Sequence, residues 1–378
     1  MGGEGWCGKV QFFISLLVTL PCSVRLRYLW NTGSFLGIAI IFQVFSGILL
    51  LLNYNSLERY ARIQFIVRDV EYGWLMKIFH SNNARVLFLL LYMHLYKNLS
   101  IGGYRLKITW NSGLVIMLLI IGAAFSGYVL VGSQIRFWAC MVITRLLGVL
   151  PFFGEKLLYI VWRGYRISWV TYQTLMVVHF VLPFLVLGVI FFHLLSLHFS
   201  GRTCVGLTHF GLYKVSFFPY YWTKDFVNVF FYLIFFFFIL CWPYALSEVE
   251  LFDEANRLNS PLHILPEWYF LAQYAILRSV PSKRVGVLLI FFRIVVLFFY
   301  PFCVGYGSPL RGLSHYIWVE AIFLHAWLSY LGAAPIAEPY VLVAVLRVFV
   351  FFLFHFVILF FLCLCNLSFK VCGPSLCY

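Results

Sequence analysis

Four stretches of this chain contain no Asp, Glu, Lys or Arg at all: residues 28–57, 108–135, 167–201 and 226–247. Each reaches the roughly 20 residues an α-helix needs to cross a hydrocarbon core. Four further apolar stretches carry one charge apiece: 78–96 with Arg85, 285–310 with Arg293, 312–337 with Glu320 and 339–369 with Arg347. Composition agrees. A chain of 378 residues that is 63% hydrophobic and 11% charged, with 43 Phe and 24 Tyr, has more apolar side chains than a water-soluble core can hide. The expected fold is all-α, a polytopic transmembrane helix bundle of eight spans, with membrane lipid around it.

The polar segments fit between those spans. Residues 58–74 mix polar and apolar side chains at helical spacing, which predicts a helix lying on the membrane surface. Residues 136–166 are interrupted by Arg145, Pro151 and Glu155 yet rich in aromatics, and are expected to form two short helices folded onto the membrane face. The longest polar excursion, 248–284, concentrates Glu248, Glu250, Asp253, Glu254 and Glu267 with Pro261, Pro266 and Pro281. No linker separates domains; a functional seam is placed after the fourth span, dividing 1–215 from 216–378. The net charge of +14 is spread over short loops, so it reads as membrane sidedness and no nucleic acid is expected as a partner. The density of Lys and Arg in short segments favours the N-terminus inside. No removable signal peptide is read before Trp30. The ten cysteines form no CxxC or Cys/His metal spacing, and Cys363 and Cys365 are the closest pair.

Histidines supply the chemistry. His80 and His94 lie in the second span, His179 and His193 in the fourth, and both intervals are 14 residues. Fourteen helical residues return to within roughly 40° of the starting face and rise about 21 Å. Two facing helices with this spacing can offer two His–His pairs at two membrane depths. A pair of axial imidazoles suits a haem iron and leaves no open position for oxygen, so such a site transfers electrons only. A lone intramembrane His is more simply an interhelical hydrogen bond; the repeated interval favours ligation. Glycines repeat it too: Gly33 and Gly47 in the first span, Gly113 and Gly127 in the third. A porphyrin edge approaching backbone in a four-helix bundle would require glycine there. Glu267, enclosed by Pro266, Trp268 and Tyr269, is the acid expected to be poorly solvated, with its pKa raised toward a proton-accepting range.

These residues, together with Gly127-Tyr128, Phe137-Trp138, Val142-Ile143-Thr144, Pro266-Glu267-Trp268-Tyr269-Phe270 and Tyr274-Ala275-Ile276-Leu277-Arg278-Ser279, resemble the mitochondrial cytochrome b family over nearly the whole chain. The resemblance implies two non-covalent b-type haems, the low-potential one on His80 and His179 and the high-potential one on His94 and His193. It implies a quinol-oxidation site built from Pro266, Glu267, Tyr269, Tyr274 and the 136–150 helix, and a quinone-reduction site at His198, Lys224 and Asp225, serving ubiquinol and ubiquinone. The implied activity is quinol–cytochrome c reductase with proton translocation, in the mitochondrial inner membrane with the N-terminus on the matrix side. Its implied partners are a Rieske iron–sulfur protein, cytochrome c1 and other complex III subunits, assembled as a homodimer.

Departures from the family pattern are visible. Val131-Gly132-Ser133 replaces a usual Pro-Trp-Gly, and Thr174 stands where an Arg near a haem propionate is common, leaving Lys77 as the cation expected there. Arg85 lies about 140° around the helix from His80, away from any haem, and the sequence offers it no obvious partner although a charge inside a membrane is costly. The high Phe content and the divergent loop suggest a fast-evolving mitochondrial genome, such as a protist's. Two other classes stay open on residues alone: a different dihaem quinol-linked subunit, against which Pro266–Tyr269 and the last four spans argue, and a proton-relaying transporter.

Overall fold

The computed structural model describes residues 11, 14–15, 18–24, 26–201, 214–245, 252–261, 264–302 and 311–372, without the side chains of 311–318 and 361–372. Glu248 and Glu250, and the side chains of Cys363 and Cys365, lie outside the described residues. Twelve helices of eight or more residues follow in order. They are α1 (Thr32–Leu51), α2 (Arg59–Arg68), α3 (Gly73–Ser100), α4 (Lys107–Val129), α5 (Gln134–Arg145), α6 (Gly154–Trp162), α7 (Trp169–Ser200), α8 (Tyr220–Cys241), α9 (Leu271–Arg278), α10 (Lys283–Phe299), α11 (Arg311–Ala333) and α12 (Tyr340–Cys372).

The eight predicted spans correspond to α1, α3, α4, α7, α8, α10, α11 and α12. Six of them are long and apolar enough to cross a membrane by length and composition; the exceptions are α3 and α11. Helix α3 has 28 residues but carries Lys77, Arg85 and Lys97, and α11 counts by its shorter apolar part, Val319–Ala333. Polar side chains on α3 are tolerated because α3 is the inner helix: eleven of its residues are buried, Asn82, Asn83 and Arg85 among them. Helix α7, by contrast, has few buried residues and exposes apolar side chains such as Val177 and Phe191, as lipid-facing surfaces do.

Packing is pairwise, α1 along α3 and α4 along α7, whereas α3 and α7 are not closely packed against each other. The space between them is the one the four histidines face. Helices α9 to α12 form a second group around Ala272, Ala275, Ile276, Leu324, Leu328, Val348 and Phe351. Here a Cβ on Gly332 would meet the Leu271 carbonyl oxygen at 2.2 Å, so only glycine permits this crossing of α9 and α11. The group docks on the first half through α3, and α8 does so through α1. A two-stranded antiparallel ribbon, β1 (Pro21–Ser23) with β2 (Lys214–Ser216), ties the N-terminal segment to the approach of α8.

The short helices expected between the spans are present. Helix α2 lies between the first two spans, and α5 and α6 are two short helices joined by a single 3-10 turn at Leu147–Val149. The divergent Val131-Gly132-Ser133 places its glycine where the turn needs a positive φ. Gly132 adopts φ +70°, its carbonyl accepts from Ala255 N at 3.3 Å, and Ser133 forms an antiparallel bridge with Glu254. Further bonds, Gln134 Nε2 to Asn259 O at 2.7 Å and Trp138 Nε1 to Asn256 O at 3.1 Å, lay residues 253–259 along the start of α5.

Candidate functional site

The imidazoles of His80 and His179 face each other from α3 and α7 with ring centroids 6.3 Å apart and planes at 85°. Two imidazoles bound to one metal ion at about 2 Å each have ring centres roughly 6 Å apart. The rings sit at a largely apolar, half-open cavity whose lining includes Gln43, Gly47, His80, Ala123, His179 and Phe180. His94 and His193, one interval further along the same helices, lie within electrostatic range of each other.

Each ring nitrogen Nδ1 is engaged. For three of the four, the partner is the hydroxyl that immediately precedes one of the repeated glycines: Ser46 Oγ to His80 at 2.9 Å, Thr32 Oγ1 to His94 at 3.0 Å and Ser112 Oγ to His193 at 2.9 Å. Each hydroxyl also lies within hydrogen-bond distance of a nearby backbone carbonyl, Phe42 O at 2.8 Å, Leu29 O at 3.2 Å and Thr109 O at 2.9 Å respectively, an acceptor that can take only its single proton. The hydroxyl oxygen therefore accepts, and Nδ1 carries the proton. At His179 the Nδ1–H donates to the Ala123 carbonyl at 2.8 Å. All four rings thus present a bare Nε2, the tautomer a metal-binding imidazole requires. At His80 an independent contact agrees, because the Gln43 amide nitrogen, a donor only, lies 3.2 Å from Nε2. That amide is oriented by a buried chain: Tyr232 OH donates to Asn83 Oδ1 at 2.8 Å, and Asn83 Nδ2 donates to Gln43 Oε1 at 2.8 Å.

The repeated glycines lie against the imidazole rings themselves. A Cβ built on Gly127 would lie 2.3 Å from His179 Cε1, one on Gly47 3.0 Å from His80 Cε1, one on Gly113 3.2 Å from His193 Cε1 and one on Gly33 3.4 Å from His94 Cε1. The equal intervals follow: each helix of glycines is the packing partner of one helix of histidines, α1 of α3 and α4 of α7. The donor set and the gap between α3 and α7 suit a pair of flat, iron-centred groups, and at His80 and His179 the ring separation does too.

At the His80 and His179 end, Tyr269 stacks on Phe88 with centroids 4.0 Å apart, and its carbonyl accepts from Tyr92 OH at 2.6 Å. Burial holds the Tyr269 hydroxyl well above its usual range, so it stays a neutral donor. Glu267 immediately precedes the 3-10 turn Trp268–Phe270. It is not the isolated acid the sequence suggested. Arg85 donates from Nε to Oε2 and from Nη2 to Oε1, both at 3.1 Å, and the two side chains are 7% and 14% exposed. Arg85, which had no partner in the sequence, has this one. Arg136, buried on α5, packs over the Tyr128 ring at 4.9 Å and feels both Glu267 and Arg85. Pro266 adjoins Glu267, while Tyr274 is half-buried under the Arg278 guanidinium at 5.4 Å. Lys77 lies 5.8 Å from the Tyr244 ring, and Thr174 turns back to its own helix at Val170 O.

At the other end Asp225 accepts from Asn31 Nδ2 at 2.8 Å and Ser34 Oγ at 2.7 Å, and Lys224 Nζ donates to Leu26 O at 2.6 Å. The structure therefore brings Lys224 and Asp225 to the start of α1. His198 is on the last turns of α7, beyond His193 at that same end. Asn31 and Ser34, which hold the Asp225 carboxylate, were not singled out in the sequence.

Comparison with known proteins decides the family. The model for "Cytochrome b/b6/petB" matches residues 17–201, and that for "Cytochrome b(C-terminal)/b6/petD" matches residues 254–354. The chain belongs to the cytochrome b family. It is 39% identical over 363 residues to cytochrome b of Caenorhabditis elegans, covering 96% of this chain and 98% of that one, and 39% identical over 345 residues to that of Caenorhabditis briggsae, covering 91% and 93%. A solved structure described as hyperthermophilic respiratory Complex III shares the fold with a TM-score of 0.84 at 24% identity, covering 93% of this chain and 96% of that one. Membership in the cytochrome b family makes the chain a membrane-embedded, electron-transferring subunit of a quinol–cytochrome c reductase, with haem and quinone as its ligands.

Proposed function

We propose that the chain holds two b-type haems, one between His80 and His179 and one between His94 and His193, and that electrons cross the membrane along them from a quinol-oxidation site to a quinone-reduction site. The observation that carries this is the set of four intramembrane imidazoles, each with Nδ1 tied down and Nε2 bare, on two helices held apart. Haem held by these histidines would supply reversible one-electron transfer. The chain's part is to orient the ligands and to exclude water with the aromatic and aliphatic lining.

Glu267, Pro266, Tyr269 and Tyr274 form the oxidation site next to the low-potential haem, with Glu267 accepting a quinol proton. His198, Lys224 and Asp225 form the reduction site next to the high-potential haem, where Asn31 and Ser34 fix the Asp225 carboxylate. Lys77 is the cation for a haem propionate. In this reading residues 1–215 are the dihaem unit and 216–378 carry the oxidation loop. The quinone is ubiquinone, and the partners are a Rieske iron–sulfur protein, cytochrome c1 and other complex III subunits in a homodimeric assembly. The location is the mitochondrial inner membrane, with the N-terminus in the matrix. The test is haem analysis of the isolated complex: two non-covalent b haems per chain are expected, and one or none overturns the reading.

A further inference from the structure

Arg85 and Glu267 are 182 residues apart, yet they form a bidentate ion pair in a buried setting. The guanidinium is fully committed on its inner edges. Nε and Nη2 hold the two carboxylate oxygens, and Nη1 donates to Asn82 Oδ1 at 3.1 Å. Asn82 is itself anchored by donating to the Pro243 carbonyl at 2.9 Å. Planar bidentate geometry of this kind fixes both the place and the orientation of a carboxylate. Lys77, Arg136, Tyr128 and Tyr269 are the other titratable groups within electrostatic range of this cluster.

We propose that Arg85 is a positioning residue of quinol oxidation; the inference rests on Glu267 being the proton acceptor. Arg85 holds the carboxylate in place and aims it, so that a quinol hydroxyl must take over one of its oxygens. When the quinol O–H bond breaks, its proton forms an O–H bond on Glu267 and the electron pair stays on the quinol oxygen. Net charge is unchanged: the Arg85 cation loses the Glu267 anion as counter-ion and gains the deprotonated quinol. The one charge in the apolar stretch 78–96 of α3 thereby serves the reaction on both sides of the proton transfer.

The experiment compares Arg85→Lys, Arg85→Gln, Glu267→Gln and the Arg85→Gln/Glu267→Gln double variant in the assembled complex, reading quinol–cytochrome c reductase kcat and KM per haem. Arg85→Gln is expected to lower kcat about 10²-fold, the scale on which misplacing a reacting group acts. Arg85→Lys keeps the charge but not the fork, and is expected to keep KM within about 2-fold and lower kcat less than Arg85→Gln does. The double variant is expected to be no slower than the slower single, because the two residues act as a unit. If Arg85→Gln does not assemble, the lysine and charge-neutral double variants carry the test. Slow Glu267→Gln with normal kcat in the Arg85 variants, or multiplying losses in the double, overturns the role of Arg85 alone. Glu267→Gln at the wild-type rate overturns the assignment of Glu267 and this inference with it.

Discussion

The imidazole of His179 occupies the space that a Cβ on residue 127 would fill, its Cε1 lying 2.3 Å from that position. No side chain, however small, fits there without moving the ring, whereas at Gly33 the corresponding distance to His94 is an ordinary 3.4 Å. Gly127→Ala is therefore expected to displace His179 and remove the haem of that pair, and Gly33→Ala to retain both. Reduced-minus-oxidised spectra of the two variants read this directly; equal haem content in both would contradict it.

Removing a hydroxyl acts on the iron through the imidazole. Ser112→Ala deprives the His193 Nδ1–H of its acceptor at 2.9 Å and Ser46→Ala does the same at His80. Such partners raise ligand basicity, and their loss typically costs about 10–100-fold in metal affinity or activity. A less basic ligand favours the reduced iron, so the midpoint potential of the affected haem is expected to rise and the other to stay put. Potentiometric titration distinguishes this from a general loosening, which would move both.

Much of this site was legible from spacing. The 14-residue intervals of His80, His94, His179 and His193 and of the four glycines follow from helix geometry and lie within single helices. Three of the hydroxyls were equally open to reading, since Thr32-Gly33, Ser46-Gly47, Ser112-Gly113 and Ser126-Gly127 repeat one dipeptide; Ser126 alone spends itself on its own helix, at Gly122 O. Why the glycines are needed was not legible, because it depends on which helix packs beside which. The Arg85–Glu267 pair was hidden for the same reason: it joins the second span to a loop 182 residues away.

That pair changes what Glu267→Gln should do. On an isolated acid the substitution would be nearly silent structurally, but here it leaves a buried guanidinium without its anion. Breaking a buried pair from one side costs roughly 3–5 kcal/mol. Glu267→Gln is thus expected to lower the thermal midpoint of the complex as well as slow turnover, and Arg85→Gln/Glu267→Gln to recover the midpoint. Calorimetry on the three proteins checks this; a double variant less stable than Glu267→Gln would contradict it.

Cys140, on the surface helix α5, reports whether that helix is packed down. Burial pushes its thiol from 9.0 up to about 12. A thiol raised in the folded state contributes stability that is fully present below 9.0 and lost as the pH rises through about 12. Alkylation of Cys140 in the folded protein at pH 9 is expected to be much slower than in denatured chain, and comparable rates would mean that α5 is not seated.

The pairing of histidines by depth is the central claim, and spectra of single ligand variants test it most directly. His80→Asn and His179→Asn are expected to remove one and the same haem, His94→Asn and His193→Asn the other, each leaving a second b haem with its own potential. Loss of the same haem from His80→Asn and His94→Asn would contradict the account.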